Sequence, residues 1–205
     1  KRYFPNLNTV NSGNIKNTWE VVPSVERTMN FGVTVRDNNE NGGQTASEET
    51  EITFVASAGP FVITSQSEPV VWSEGTSETI TWDVANTNVE PINCALVNIL
   101  LSEDGGLTFP IVLASNVAND GTHEIVVPSS RATEARVKIE SVGNVFYTSS
   151  FKNITIQSSE FVMKFENYDL NTCAPNEVIY NITYNTFSGF NEETTFSTTG
   201  LPEGS

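Results

Sequence analysis

Apolar residues recur at every second position through most of this sequence and almost nowhere at helical spacing. A period of two constrains the chain to β-strands with one face buried and one face polar. Phe31, Val33 and Val35 share a face opposite Gly32, Thr34 and Arg36. After the turn-rich DNNENGGQTAS, the run ETEITFV directs Ile52 and Phe54 to the same side, and two such runs around an Asn/Gly-rich loop predict a hairpin. Further on, TITWDV sends Ile80, Trp82 and Val84 inward, THEIVVP sends Ile125 and Val127 inward, and ARVKIE sets Ala135, Val137 and Ile139 against Arg136, Lys138 and Glu140. FVITS and NITI bracket these strands. ALVNILLS is apolar on both faces, as a central strand covered on both sides would be.

The spacing of strands and turns divides the chain into three units. Residues 1–57 hold a loop-like stretch and one hairpin, which alone is marginal in water, so they read as the C-terminal part of a β-sandwich module. Gly-Pro in SAGP punctuates the chain before a second unit, 58–157, whose six or seven short strands predict a complete immunoglobulin-like sandwich. Residues 158–205 read as the N-terminal part of a third β-module, with Phe161, Met163 and Phe165 on one face and Val178, Tyr180, Ile182 and Tyr184 on another. The expected fold class is therefore all-β, as tandem immunoglobulin-like sandwiches, one complete and two partial. KRYFPNL and GLPEGS do not resemble natural termini, so the chain reads as a piece of a longer one.

Charge narrows the function. Asp and Glu outnumber Lys and Arg 25 to 10, for a net charge of −15, which excludes a nucleic-acid partner that would need a basic face. No apolar run is long enough to span a membrane. Abundant Ser, Thr, Asn and Gly with scarce Lys suit the surface of a secreted or cell-surface protein.

Residues 102–109, SEDGGLTF, match the Asp-box Ser-x-Asp-x-Gly-x-Thr-aromatic of sialidase propellers at Ser102, Asp104, Gly106, Thr108 and Phe109. A propeller would repeat the motif once per blade, and a sialidase would cluster arginines for the substrate carboxylate. Neither pattern is present here. The residue types instead predict a rigid turn. Asp104 would accept backbone N–H groups, Ser102 would bond locally, the glycines would supply positive φ, and Phe109 would re-enter the sheet to pack.

Other chemistry is thin. His123 is the only histidine and reads as an edge-strand surface residue, with neither HExxH nor GxSxG nearby. Glu48–Glu49, Glu103–Asp104 and Glu192–Glu193 are adjacent carboxylates that a strand would point to opposite faces, so they are poor acid–base pairs. The loop from Asp37 through Asn41 offers Asp37, Asn39 and Glu40 as oxygen donors, and calcium is the cofactor such a loop could hold, although it lacks EF-hand spacing. Asn153-Ile154-Thr155 and Asn181-Ile182-Thr183 match the glycosylation triplet but fall in expected strands. Trp82 shares its face with Ile80 and Val84 and reads as core. Trp72, after Pro69-Val70-Val71, is the expected ligand contact, partly exposed and suited to an extracellular protein or glycan. Cys94 and Cys173 show no metal-ligand spacing, and two readings stay open: a disulfide in an oxidising compartment, or two buried thiols.

Taken together, WEVVPSVERTMNFGVTVRDN, GPFVITS, the long run ETITWDV…HEIVVP and ARVKIESVGNVFY resemble the region after the catalytic domain of secreted, reprolysin-like zinc metalloproteases of Bacteroidetes-type bacteria. VVWSEGTSETITWDV also resembles the opening of a fungal cell-wall immunoglobulin-like module. The first resemblance implies non-catalytic accessory or spacer modules, secreted through the type IX system, whose partners are the neighbouring domains of the same polypeptide. It implies no cofactor in these residues: zinc would belong to an upstream HExxHxxGxxH domain. It also implies pairing of Cys94 with Cys173. The alternative is a cell-surface adhesion or carbohydrate-binding module.

Overall fold

The computed structural model describes residues 2–40, 42–166, 173, 178–187 and 190–200. The elements run α1 (Leu7–Asn11), β1 (Arg27–Arg36), β2 (Thr45–Phe54), β3 (Val62–Ile63), β4 (Val70–Ser73), β5 (Ser77–Asp83), β6 (Leu96–Ser102), β7 (Ile111–Ala118), β8 (Thr122–Val126), β9 (Arg136–Ser141), β10 (Tyr147–Ser149), β11 (Ile154–Gln157), β12 (Phe161–Phe165) and β13 (Ile182–Thr186).

Strands β3 to β11 form a two-sheet sandwich. One sheet has the order β3-β5-β8 and the other β10-β9-β6-β7. β11 runs parallel to β4, with Trp72 opposite Ile156, and joins β9 through the Ala135–Ile154 bridge. β10 and β11 are thus two halves of one interrupted strand beside β9. The chain pairs with β5 through β3 and with β11 through β4, so it crosses from one sheet to the other between them. An opening strand that switches sheets and pairs in parallel with the closing strand, over a core of inward-facing alternate residues, makes this an immunoglobulin-like sandwich.

The expected inward residues fill the core. Ile80, Trp82, Ile125, Val137 and Ile139 are buried, and Ile99 on β6 lies directly opposite Ile139 on β9. The Trp82 indole N–H needs a partner inside an apolar core. It donates to Asn119 Oδ1 at 3.0 Å, while the Asn119 amide donates to Thr87 Oγ1 and to the Cys94 carbonyl.

The end units are two-stranded ribbons, the first being the hairpin that alternation predicted. β1 and β2 form a ten-residue antiparallel ribbon, and β12 and β13 a five-residue one. Phe4 packs edge-on against Phe31 at 5.3 Å, but Val33 and Val35 are 59% and 63% exposed. Phe4 touches the ribbon, while Tyr3, Pro5 and Asn11 bond to the sandwich.

Candidate functional site: the Asp104 turn and its docked strap

β6 ends at Ser102, and the next residues turn on the side chains of Ser102 and Asp104. Ser102 Oγ donates to Asp104 Oδ1 at 2.6 Å and accepts the Gly106 amide at 2.8 Å. Asp104 Oδ1 also accepts the amides of Leu107 and Thr108 at 3.0 and 2.9 Å, and Oδ2 accepts the Thr108 hydroxyl at 2.6 Å. Burial pushes the Asp104 carboxyl up, but the bonds from Ser102, Thr108 and the two amides outweigh it and hold the pKa at about 2. Each oxygen is spent on its own turn, as expected of a structural loop. Phe109 departs from expectation: it precedes β7, which starts at Ile111, and lies partly buried under the Lys138 ammonium at 4.9 Å.

Asp104→Ala is therefore expected to cost about 1–2 kcal/mol, checked by urea denaturation. The folded pKa lies below the ordinary 3.8, so the folded state binds its proton less readily than the unfolded chain. The stabilisation from Asp104 is whole above that ordinary value and fades as the pH falls toward 2. The wild-type advantage over Asp104→Ala should shrink across that window; a gap that stays constant down to pH 2 contradicts the assignment.

The turn is also the floor of a docking site. The outer face of β10, β9 and β6 carries Tyr147, Ser149, Arg136, Lys138, Leu100 and Ser102 in register. Residues 3–11 form a strap across it. Within the strap, Asn6 caps α1 by accepting the Thr9 amide, which fixes how the chain enters Asn11. Asn11 is buried: its side-chain amide donates to the Gly106 carbonyl at 2.9 Å, and its Oδ1 accepts the Ser149 hydroxyl at 2.9 Å. Its backbone carbonyl accepts Arg136 Nη1 at 2.8 Å. Burial pulls the Arg136 guanidinium down, and nearby Glu134 opposes this.

At the other end of the strap, Lys138 Nζ donates to Glu140 Oε2 at 2.8 Å and to Tyr3 Oη at 3.1 Å, between the rings of Phe109 and Tyr3. The Tyr147 hydroxyl donates to the Pro5 carbonyl at 2.8 Å, and burial pushes this phenol well above its ordinary value. Glu20 holds the strap from behind, accepting the Asn6 amide and pairing with Arg2. The Asn6 bond is the largest influence holding the Glu20 carboxyl below its usual value.

Other expected site residues lie apart from this one. Trp72 corrects the expectation of a ligand contact: it is 1% exposed, because β4 pairs with β11 and turns the indole into the sandwich. The expected Cys94–Cys173 bond is not formed; both thiols are free, Cys94 buried and Cys173 exposed. The Cys94 Sγ instead contacts the Leu96 carbonyl at 3.3 Å.

Asp37 Oδ1 accepts the amides of Asn39 and Gln44, so this carboxylate shapes a turn. Glu40 is exposed beside it, and Asn41 lies outside the described residues. No group of three or more His, Cys, Asp or Glu side chains gathers among the described residues. His123 sits on β8, an edge strand. Asn153 and Asn181 each lie one residue before a strand rather than within it.

Sequence reasoning missed Asn11, Asn119 and Lys138. Nothing in alternation marks Asn11 or Asn119, and alternation put Lys138 on the solvent face. The one available signal was the two-sided apolarity of β6, since Leu100 faces the strap side.

The fold and this site define an all-β chain whose immunoglobulin-like sandwich carries a self-docked N-terminal segment. No family model and no curated protein matches the sequence. Among solved structures the chain is similar to a chimeric titin Z1Z2 functionalized with a KLER exogenous peptide from decorin, at 11% identity and a TM-score of 0.27. The match covers 62% of each chain, less than two thirds of the titin chimera's length.

Proposed function

We propose that these residues are non-catalytic accessory and spacer modules of a secreted multidomain zinc metalloprotease, working through the neighbouring domains of the same polypeptide. The observation that supports the spacer role is the strap. An outer sheet face that would otherwise be solvated is covered by residues 3–11 through Asn11, Arg136, Lys138 and Tyr147. A chain that enters a module through buried hydrogen bonds, rather than through a free linker, transmits orientation from one module to the next. The protease part of the reading draws on the sequence resemblance alone.

The competing reading, a glycan-binding or adhesion module, draws on Trp19, whose ring is 91% exposed. A sugar platform stacks on several rings, and Trp72 and Trp82 are inside the sandwich, so the spacer reading is preferred.

The test is the complete reading frame. HExxHxxGxxH within a domain N-terminal to these residues is the expected result. A full-length frame without it removes the protease and leaves only the spacer.

A further inference from the structure

We propose that the sandwich is keyed to its two chain neighbours by a pair of glycine sockets of opposite chemistry: Gly106 receives the side-chain amide of Asn11, and Gly75 receives the ring of Phe187.

Among the described glycines, these two alone would drive an added Cβ into a side chain at less than 3.0 Å. At Gly106 it would lie 2.3 Å from Asn11 Nδ2, and at Gly75 it would lie 2.2 Å from Phe187 Cζ. Both have positive φ, +90° and +77°, which glycine adopts freely. Backbone conformation does not account for the contacts, because Gly42, Gly143 and Gly200 also have positive φ and nothing within 4 Å of an added Cβ. Nor does positive φ demand glycine in this chain: Asn38, Ala85, Asn86, Asn93 and Asn116 hold it with side chains.

The sockets lie in different parts of the sandwich. Gly106 is in the turn after β6 and receives the N-terminal strap. Gly75 is in the β4–β5 turn, where its amide donates to the Val127 carbonyl, and it receives Phe187, the residue that follows β13. Phe187 is positioned by its own amide, which donates to the Glu160 carbonyl at 3.0 Å. One socket offers the carbonyls of Gly105 and Gly106 to an amide, and the other receives an aromatic ring. An amide at Gly75 or a ring at Gly106 would lose its partners, so each neighbour has one seat. The sockets fix direction as well as spacing.

This deepens the spacer part of the proposal and is independent of the protease part. Its test reads geometry, so it can fail or succeed whatever an upstream domain encodes.

The experiment uses the full chain with Cys173→Ser, spin-labelled at Glu124→Cys on the sandwich and Asn185→Cys on β13. A narrow distance distribution is expected. Gly75→Ala and Phe187→Ala should each broaden it. Thermal melts then separate a socket from a strained backbone. If the added methyl collides with the ring, Gly75→Ala should lower Tm far less in the Phe187→Ala background than in the parent. A parallel set uses Trp19→Cys with Glu124→Cys, and Gly106→Ala with Asn11→Ala. Additive Tm losses in both pairs, or a distribution that is already broad in the parent, overturn the proposal.

Discussion

Replacing Trp72 with alanine is expected to cost about 3–5 kcal/mol, the usual loss for a large aromatic removed from a core. Trp72 is 1% exposed and lies on β4, the short strand that closes the sandwich edge against β11. β4 has four residues and Trp72 is its one fully buried side chain, so no neighbour on the strand can take its place. Domains of this size are stable by roughly 5–15 kcal/mol in total. The variant should therefore unfold at much lower urea concentration, with the β4–β11 edge exchanging amide hydrogens first. A Trp72→Ala protein with unchanged stability but weakened binding to a glycan or protein surface would restore the ligand-contact reading and contradict the burial.

The second large effect is expected at Lys138. This residue is 2% exposed, and its ammonium is satisfied by Glu140 and by the Tyr3 hydroxyl between two aromatic rings. Lys138→Ala removes one partner of a largely buried charge pair and leaves a void under Tyr3 and Phe109. A loss of about 3 kcal/mol is expected. Lys138→Met keeps an apolar stem opposite Leu100 in the β6–β9 register and should recover part of that loss. Protease cleavage within residues 2–22 gives a second readout, since a released strap is an exposed substrate. If Lys138→Ala melts like the parent and its strap resists cleavage, the strap is held by Asn11 and the Tyr147–Pro5 bond, and the Lys138 cluster contributes nothing to the junction.

Much of the sandwich was legible because its strands alternate strictly. TITWDV and ARVKIE assign Ile80, Trp82, Val137 and Ile139 to the inner face, and those residues are buried. The Asp104 turn was legible for a similar reason: Ser, Asp, Gly and Thr at that spacing can satisfy one another locally, and they do. Legibility stopped where burial depends on a distant segment. Val33 and Val35 obey the same alternation as Ile80, yet they are exposed because no second layer reaches them among the described residues. Arg136, Lys138 and Ser149 obey the polar half of the pattern, yet the strap covers them. VVWS is too short to show a period, so the partner that buries Trp72 was invisible until β11 was placed beside it.

The sequence by itself determined the class of the fold, the inner faces of the sandwich strands and the chemistry of the 102–109 turn. These follow from a period of two and from hydrogen bonds closed within a few residues. Only the tertiary structure decided that residues 3–11 dock on the sandwich, with Phe4 reaching back to the β1–β2 ribbon. It alone decided that Trp72 is core, that Cys94 and Cys173 stay apart, and that Gly106 and Gly75 are seats for Asn11 and Phe187. Each of these depends on which distant surface meets which. Alternation shows that a face exists, but what covers it is set by the path of the chain through space.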